Sequence, residues 1–196
     1  MALPIMLFDE RKLRPAFGYV FDKHLLDPHE SIVSILWKFG RQNGLPGHLI
    51  TAQIARGQVD PYEGITACET AVDVIELHKV LSLPLKMVRA SLLAEPAQRL
   101  GSPWLRYCRK CLRQGYHGVV HQLNRVRRCP VHETLLEERC GHCGSQTPYW
   151  LNAPLLGAPY RCCACRQLYA SYLPSLTRKV PMPKQARTRI TRARFA

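Results

Sequence analysis

Apolar residues recur at helical spacing through the first half of the chain. Asp27-Pro28-His29-Glu30 reads as a helix start, with Asp27 as cap, Pro28 in the first turn and Glu30 three residues after the cap. Ile32, Ile35, Leu36 and Phe39 follow three or four apart, and Gly44 supplies a stop. Trp37 lies off that stripe. A shorter helix is predicted from Pro46 to Arg56, ended by Gly57. Asp60-Pro61-Tyr62-Glu63 repeats the start signal ahead of a longer helix over about 67–81, with Ala71, Val74, Ile75, His78 and Leu81 on one face. Cys68 falls on that helix as a small buried side chain, and His78 reads as a core or interface histidine. Ser82 is placed to cap a further helix over about 83–93, with Pro84 in its first turn and Leu85, Val88 and Leu92 inward. Residues 77–93 thus read as helix, tight turn, helix. Such a pair can lay its second helix in a DNA groove, exposing Lys86 and Arg89, and is also a common packing unit of α-domains. Upstream, Phe17, Tyr19, Phe21 and Leu25 suggest an extended arm on the core. Glu95-Pro96 ends the helical half, and Gly101-Ser102-Pro103 reads as a linker.

Beyond residue 104 the pattern changes. Four pairs of metal-ligand residues appear, Cys108/Cys111, Cys129/His132, Cys140/Cys143 and Cys162/Cys165, each with two residues between its members. That gap lets a tight turn aim two side chains at one ion, and two pairs complete a closed tetrahedral Zn²⁺ site. Seventeen residues separate Cys111 from Cys129 and eighteen separate Cys143 from Cys162, as in a zinc ribbon, whereas only seven lie between His132 and Cys140. The second half also repeats the first at an offset of 32 or 33 residues. The reading is a duplicated ribbon with sequential sites, three cysteines and a histidine, then four cysteines, holding two structural Zn²⁺. A cross-braced pairing is the alternative, and Cys163 competes with Cys162. Disulfides would need an oxidising compartment. The N-terminus lacks a positive segment followed by an apolar one, and no apolar run approaches the ~20 residues of a membrane span, so a cytoplasmic protein is expected. The fold class expected is α plus small zinc ribbon: a helical, helix-turn-helix-like domain with an N-terminal arm over 1–100, tandem ribbons over 104–172 and a basic flexible tail over 173–196.

Charge points to the partner. The formal net charge is +14. Seven ligand thiolates and two dications would lower it to about +11. Every Asp and Glu lies at or before Glu138; from Arg139 onward there are ten Lys or Arg and no acid. One-signed charge of this kind favours a polyanion. The candidate nucleic-acid contacts are Lys86, Arg89, Arg109, Lys110, Arg113, Arg125, Arg127, Arg128, Arg187 and Arg189. Arg106 belongs to the same basic region. Tyr107, Tyr116, Tyr149, Trp150 and Tyr160 lie among them, able to stack on bases or to serve as core. His117 and His121 read as packing residues or as groups orienting the zinc ligands. After Pro174, Pro181, Pro183 and seven basic residues suggest a tail without structure until it meets an anion.

No catalytic signature stands out. There is no phosphate-binding GxxxxGK[ST] loop and no HExxH helix. Both predicted zinc sites are full, and a catalytic zinc needs an open position. His121, Asn124 and His132 follow an HNH nuclease order but span too short a stretch, and His132 already has a ligand role. No enzyme is expected.

With these residues in view, the sequence resembles the TniQ family of transposition proteins. The resemblance rests on Cys108-x2-Cys111-Leu112-x2-Gly115-Tyr116-His117, His121-Gln122, Cys129-Pro130-x-His132, Leu135 and Cys140-x2-Cys143-Gly144. Glu30-Ser31-x3-Ile35-Leu36 to Asn43-Gly44-Leu45 is similar to that family's first helix, and Leu81 to Leu93 to its helix-turn-helix. Arg109 and Gly141 stand where the family commonly has Pro, Cys162-Cys163-Ala164-Cys165 is irregular, and the long C-terminal region of larger members is missing. In length the chain is more similar to the short TniQ proteins of RNA-guided, CRISPR-associated transposons. The resemblance implies target-site selection rather than chemistry. Such proteins link a target-recognition complex or DNA to an AAA+ ATPase regulator, TnsC or TniB, which recruits the transposase. The implied partners are that ATPase, DNA, a guide-RNA effector complex and a second copy of the chain. A stand-alone DNA- or RNA-binding zinc-ribbon regulator is the competing reading.

Overall fold

The computed structural model describes residues 18–93, 101–177 and 180–195. Phe17 and Glu95-Pro96, part of the sequence reading, lie outside them. The central element is α1 (Ile32–Asn43), buried on every side from Ile32 to Gly40. Ser31 caps it through its side chain, and Gly44 closes it in the left-handed region at φ 64°. The start therefore falls four residues later than the Asp27 signal suggested. Glu30 does reach back to the Asp27 N–H (3.0 Å), but its backbone bridges to Gly118, and His29 adopts φ 58°. That pairing holds the segment out of the helix.

Trp37, off the predicted stripe, is among the most buried residues. Its Nε1–H donates to the Leu155 carbonyl (2.8 Å), and its ring meets Tyr160 at 5.0 Å. Lys38 is also buried, paired with the Glu30 carboxylate and donating to the Leu25 carbonyl (2.7 Å). Tyr19 and Phe21 pack edge-on against Phe39, as the arm reading expects.

Next come α2 (Gly47–Ile54), β1 (Ile65–Thr66), α3 (Val74–Leu81) and α4 (Leu85–Ala90). The long helix expected over 67–81 is shorter. Asp73 caps at its side chain, accepting from Ile75 and Glu76 N–H, while the Ala67 carbonyl is taken by the Leu93 N–H (3.1 Å). Cys68 sits on that bridge, buried, rather than on a helix. The inward face of α3 is Val74, Leu77, Val80 and Leu81; Ile75 and His78 point outward, and His78 Nδ1 lies 2.6 Å from the Leu83 carbonyl. Ser82 does not cap the following helix. It ends α3 in the left-handed region at φ 49°, and Pro84 takes the cap position of α4.

The C-terminal half adds α5 (Arg109–Arg113), β2 (Trp150–Leu151), α6 (Ala153–Leu156) and α7 (Lys184–Phe195). The two strands pair antiparallel, Ile65 with Leu151 and Thr66 with Trp150, so the sheet joins the halves. Helices α2 and α6 touch backbone to backbone: a Cβ at Gly47 would collide with the Ala153 carbonyl oxygen. One hydrophobic core runs from Phe21 through α1 to Tyr107, Tyr160 and Tyr169. The expected linker is part of the packed structure: Ser102 is buried, its N–H bonded to the Gln122 carbonyl (2.8 Å), and Gly101 bridges Leu123. No helix among the described residues is long and apolar enough to cross a membrane.

Candidate metal centres and the basic surface around them

Three of the four ligand pairs sit on one local design. In each, the first cysteine N–H donates to the carbonyl five residues on, Cys129 to Thr134, Cys140 to Ser145 and Cys162 to Gln167, all at 2.9 Å. The N–H four residues on returns to the cysteine carbonyl, from Glu133, Gly144 and Arg166. Those three residues have φ of 57°, 74° and 61°. This turn sends both ligand side chains to one side. The Cys108/Cys111 pair differs, because its backbone continues into α5 and turns only at Gly115, φ 72°.

The pairs meet in sequence order. Cys108, Cys111, Cys129 and His132 form one quartet, and Cys140, Cys143, Cys162 and Cys165 the other, with the ligand atoms of each within 4.8 Å of one another. The cross-braced pairing is not adopted, and Cys162 rather than Cys163 is the ligand; the Cys163 sulfur lies 3.4 Å from Thr147 Oγ1. In the first quartet the Cys111 and Cys129 sulfurs are 3.5 Å apart, and His132 Nδ1 lies 3.3–3.6 Å from the three sulfurs. In the second, Cys140 to Cys165 and Cys143 to Cys162 are both 3.7 Å. A tetrahedron with Zn–S of about 2.3 Å has edges of about 3.8 Å, so both quartets fit a zinc ion. The chain thus carries two separate four-ligand clusters compatible with two structural zinc ions.

Electrostatics agree. Without metal, Cys108 is pushed down by hydrogen bonds from Cys111 and Cys129, while Cys111 goes up because its proton serves Cys108. Burial pushes Cys162 up to about 12, and hydrogen bonds from Ser145 bring Cys143 down to about 6. Neighbouring thiolates cannot all ionise unaided, and a dication supplies the missing charge.

His117 and His121 are fully buried, and neither hydrogen-bonds a ligand. His117 Nε2–H donates to the Arg106 carbonyl (2.8 Å), so its Nδ1 accepts from the Ser31 hydroxyl (2.6 Å). The α1 cap is thereby tied to the segment entering the first quartet. Burial pushes His117 down to about 4 and His121 to about 3, keeping both rings neutral. Arg106 is buried too, donating to the Leu123 and Val126 carbonyls (both 2.8 Å) beside Glu138, so it belongs to the frame and not to a surface. Of the five aromatics among the ligands, Tyr107, Tyr116, Tyr149 and Tyr160 are core, and only Trp150 is exposed.

The basic candidates fall into three groups. Lys86 and Arg89 are exposed on α4, with Arg89 3.7 Å from Glu69. On α5, Arg109 clamps Glu137 with Nε and Nη2 (both 2.7 Å), Arg113 lies over the Tyr172 ring, and Lys110 is exposed. The third group joins residues 125–128 to α7. Arg125 donates to the Ala193 and Arg194 carbonyls (3.0 and 2.7 Å), Arg128 to the Glu133 carbonyl (2.9 Å), and Arg189 to the Glu133 carboxylate (3.1 Å). Arg127 and Arg187 are exposed.

The tail expected to lack structure is thus a helix. Met182, Ala186 and Ile190 are buried in one cluster with Cys108, Cys111, Cys129, Tyr116 and Val120, so α7 roofs the first quartet. Arg194 donates to the Ala90 carbonyl and lies 3.3 Å from His29 Nδ1, while His29 Nε2 is 3.0 Å from Thr191 Oγ1. Apolar spacing of four from Met182 to Ile190 was the available signal, and Lys184 and Arg192 were the basic residues it would have added. No protein-family model matches the chain, and no curated protein matches it in sequence.

Proposed function

We propose that the protein is a TniQ-like, zinc-dependent adaptor in DNA transposition that selects target sites and has no catalytic role. It bridges an AAA+ ATPase regulator of the TnsC/TniB kind on DNA to a target-recognition complex, with a guide-RNA effector complex as the form its length suggests, and it acts in the cytoplasm. The observation that carries this is the pair of closed quartets, three cysteines with a histidine and then four cysteines, in the order and spacing of the TniQ-like motif. Full ligand sets leave no open coordination position, which suits a structural role. On this reading α3, the Ser82–Pro84 turn and α4 form the helix-turn-helix, with Lys86 and Arg89 outward. The exposed α5 residues Lys110 and Arg113 are a docking face for the ATPase, and a second copy of the chain can complete the assembly.

The test is co-sedimentation of the zinc-loaded protein with a TnsC-like ATPase assembled on duplex DNA with nucleotide. Pelleting only with the assembly supports the adaptor. Equal pelleting with DNA alone sinks it and favours the stand-alone regulator, which the α7 cations without a side-chain partner among the described residues support.

A further inference from the structure

The twelve residues of α7 include five bases, Lys184, Arg187, Arg189, Arg192 and Arg194, and no acid. They divide into two classes. Ala186 and Ile190 face the first quartet. At 3.6 residues per turn, Arg189 and Arg194 flank that buried stripe on its two sides. Both are used to hold the helix, Arg189 on Glu133 and Arg194 on the Ala90 carbonyl. Lys184 and Arg192 lie on the opposite side with Arg187 at the edge between, and none of the three has a side-chain partner among the described residues. They surround a shallow concavity of about 410 Å³ completed by Pro28, Thr188 and Thr191, with no carboxylate in its wall. At Pro28 it meets a cleft of about 460 Å³ whose wall includes Lys23 and Lys86. The two carboxylates of that cleft are engaged within the chain, Asp27 with the Met182 N–H and Glu30 with Lys38.

We propose that this outer face of α7 binds the phosphate backbone of duplex DNA, with Lys184, Arg187 and Arg192 as the contacting cations and Lys86 as their continuation. The proposal deepens the adaptor reading and rests on it only for DNA being a partner. Like charges on one helix face repel, and Lys184 and Arg187 lie in the first turn, where the helix dipole is already positive. The arrangement works against the isolated helix and is relieved by a polyanion. From Lys184 to Arg192 the helix rises about 12 Å, the axial span of three or four phosphates of one strand. Cations on a straight helix contact backbone charge, so binding is sequence-independent.

The experiment measures binding of zinc-loaded full-length protein to a labelled duplex across a salt series. A triple variant, Lys184→Gln, Arg187→Gln and Arg192→Gln, removes three contacts, and the slope of log affinity against log salt should become shallower by about 2.7. A control variant at an exposed cation outside these faces, Lys79→Gln on α3, should leave the slope at the wild-type value. Zinc content and thermal midpoint of both variants should match wild type, since none of these side chains is buried. An unchanged slope in the triple variant overturns the proposal, as does an equal effect per charge in the control. Tighter binding to a single strand or to RNA than to duplex overturns the choice of ligand. The adaptor reading fails separately: wild-type protein would gain nothing from the ATPase, whatever the salt slopes.

Discussion

The two quartets share ligand spacing but not surroundings. In the first, all three cysteines are buried, α5 carries Cys111 with Cys108 at its cap, and Met182 together with Ala186 and Ile190 of α7 covers the ligands. In the second, Cys140 and Cys162 are buried against the core, Cys165 is half-buried and Cys143 is exposed. The ligand motif fixes where a metal sits, and remote segments decide whether water reaches it. We expect the first ion to be part of the core and the second to brace its edge.

The largest test removes one ligand at a time. Structural zinc contributes about 10–16 kcal/mol of apparent binding energy, comparable to the whole stability of a domain, about 5–15 kcal/mol. Cys111→Ser should lose its ion and the near-UV circular dichroism of the whole chain. Cys143→Ser should keep one zinc per chain and protect α7 from trypsin. Loss of both ions from Cys143→Ser would break the comparison. Next in size is Trp37→Ala, which empties the site where α1 meets Tyr160 and Leu155. It should cost about 3–5 kcal/mol in urea unfolding. The transition should stay single, and two separated transitions would mean the halves fold apart, contrary to the shared core.

A third test uses protons. His117 titrates near 6.5 when unfolded but near 4 when folded, so its contribution is complete above 6.5 and is lost as pH falls through 4. The loss should approach about 3 kcal/mol. In imidazole nitrogen spectra, His117 should remain the neutral Nε2–H form at pH 5; a charged ring there would refute the burial argument. Beside the second quartet, His142 is exposed and has no such burial. The smallest effect is expected from Ile190→Ala, about 2 kcal/mol and confined to the roof. It should expose Arg187 and Arg189 to trypsin and speed zinc release from the first quartet alone.

The quartets were legible because each ligand pair is local and their order follows the spacing. Helix α1 was legible at its Gly44 end, where the stop is in the chain itself. Its start was not, since Glu30 pairs with Gly118, far along the chain. The shortening of α3 has the same origin, the Ala67 carbonyl being taken by Leu93. Charge and proline in the last segment masked the apolar four-spacing of Met182, Ala186 and Ile190, whose seat is made by residues 108–129. In each case the deciding partner is absent from the window in which the signal was read.

The burial of α1 on every side has a consequence in time. Its partners Leu155 and Tyr160 leave the ribosome more than a hundred residues after Asn43, a delay of about 6–25 s at ordinary synthesis rates. During that interval the Trp37 side of α1 lacks the residues that will cover it, and the ribbons that supply them still await metal. Starving expressing cells of zinc should therefore yield aggregates of whole chains, held by chaperones, in place of a stable N-terminal fragment.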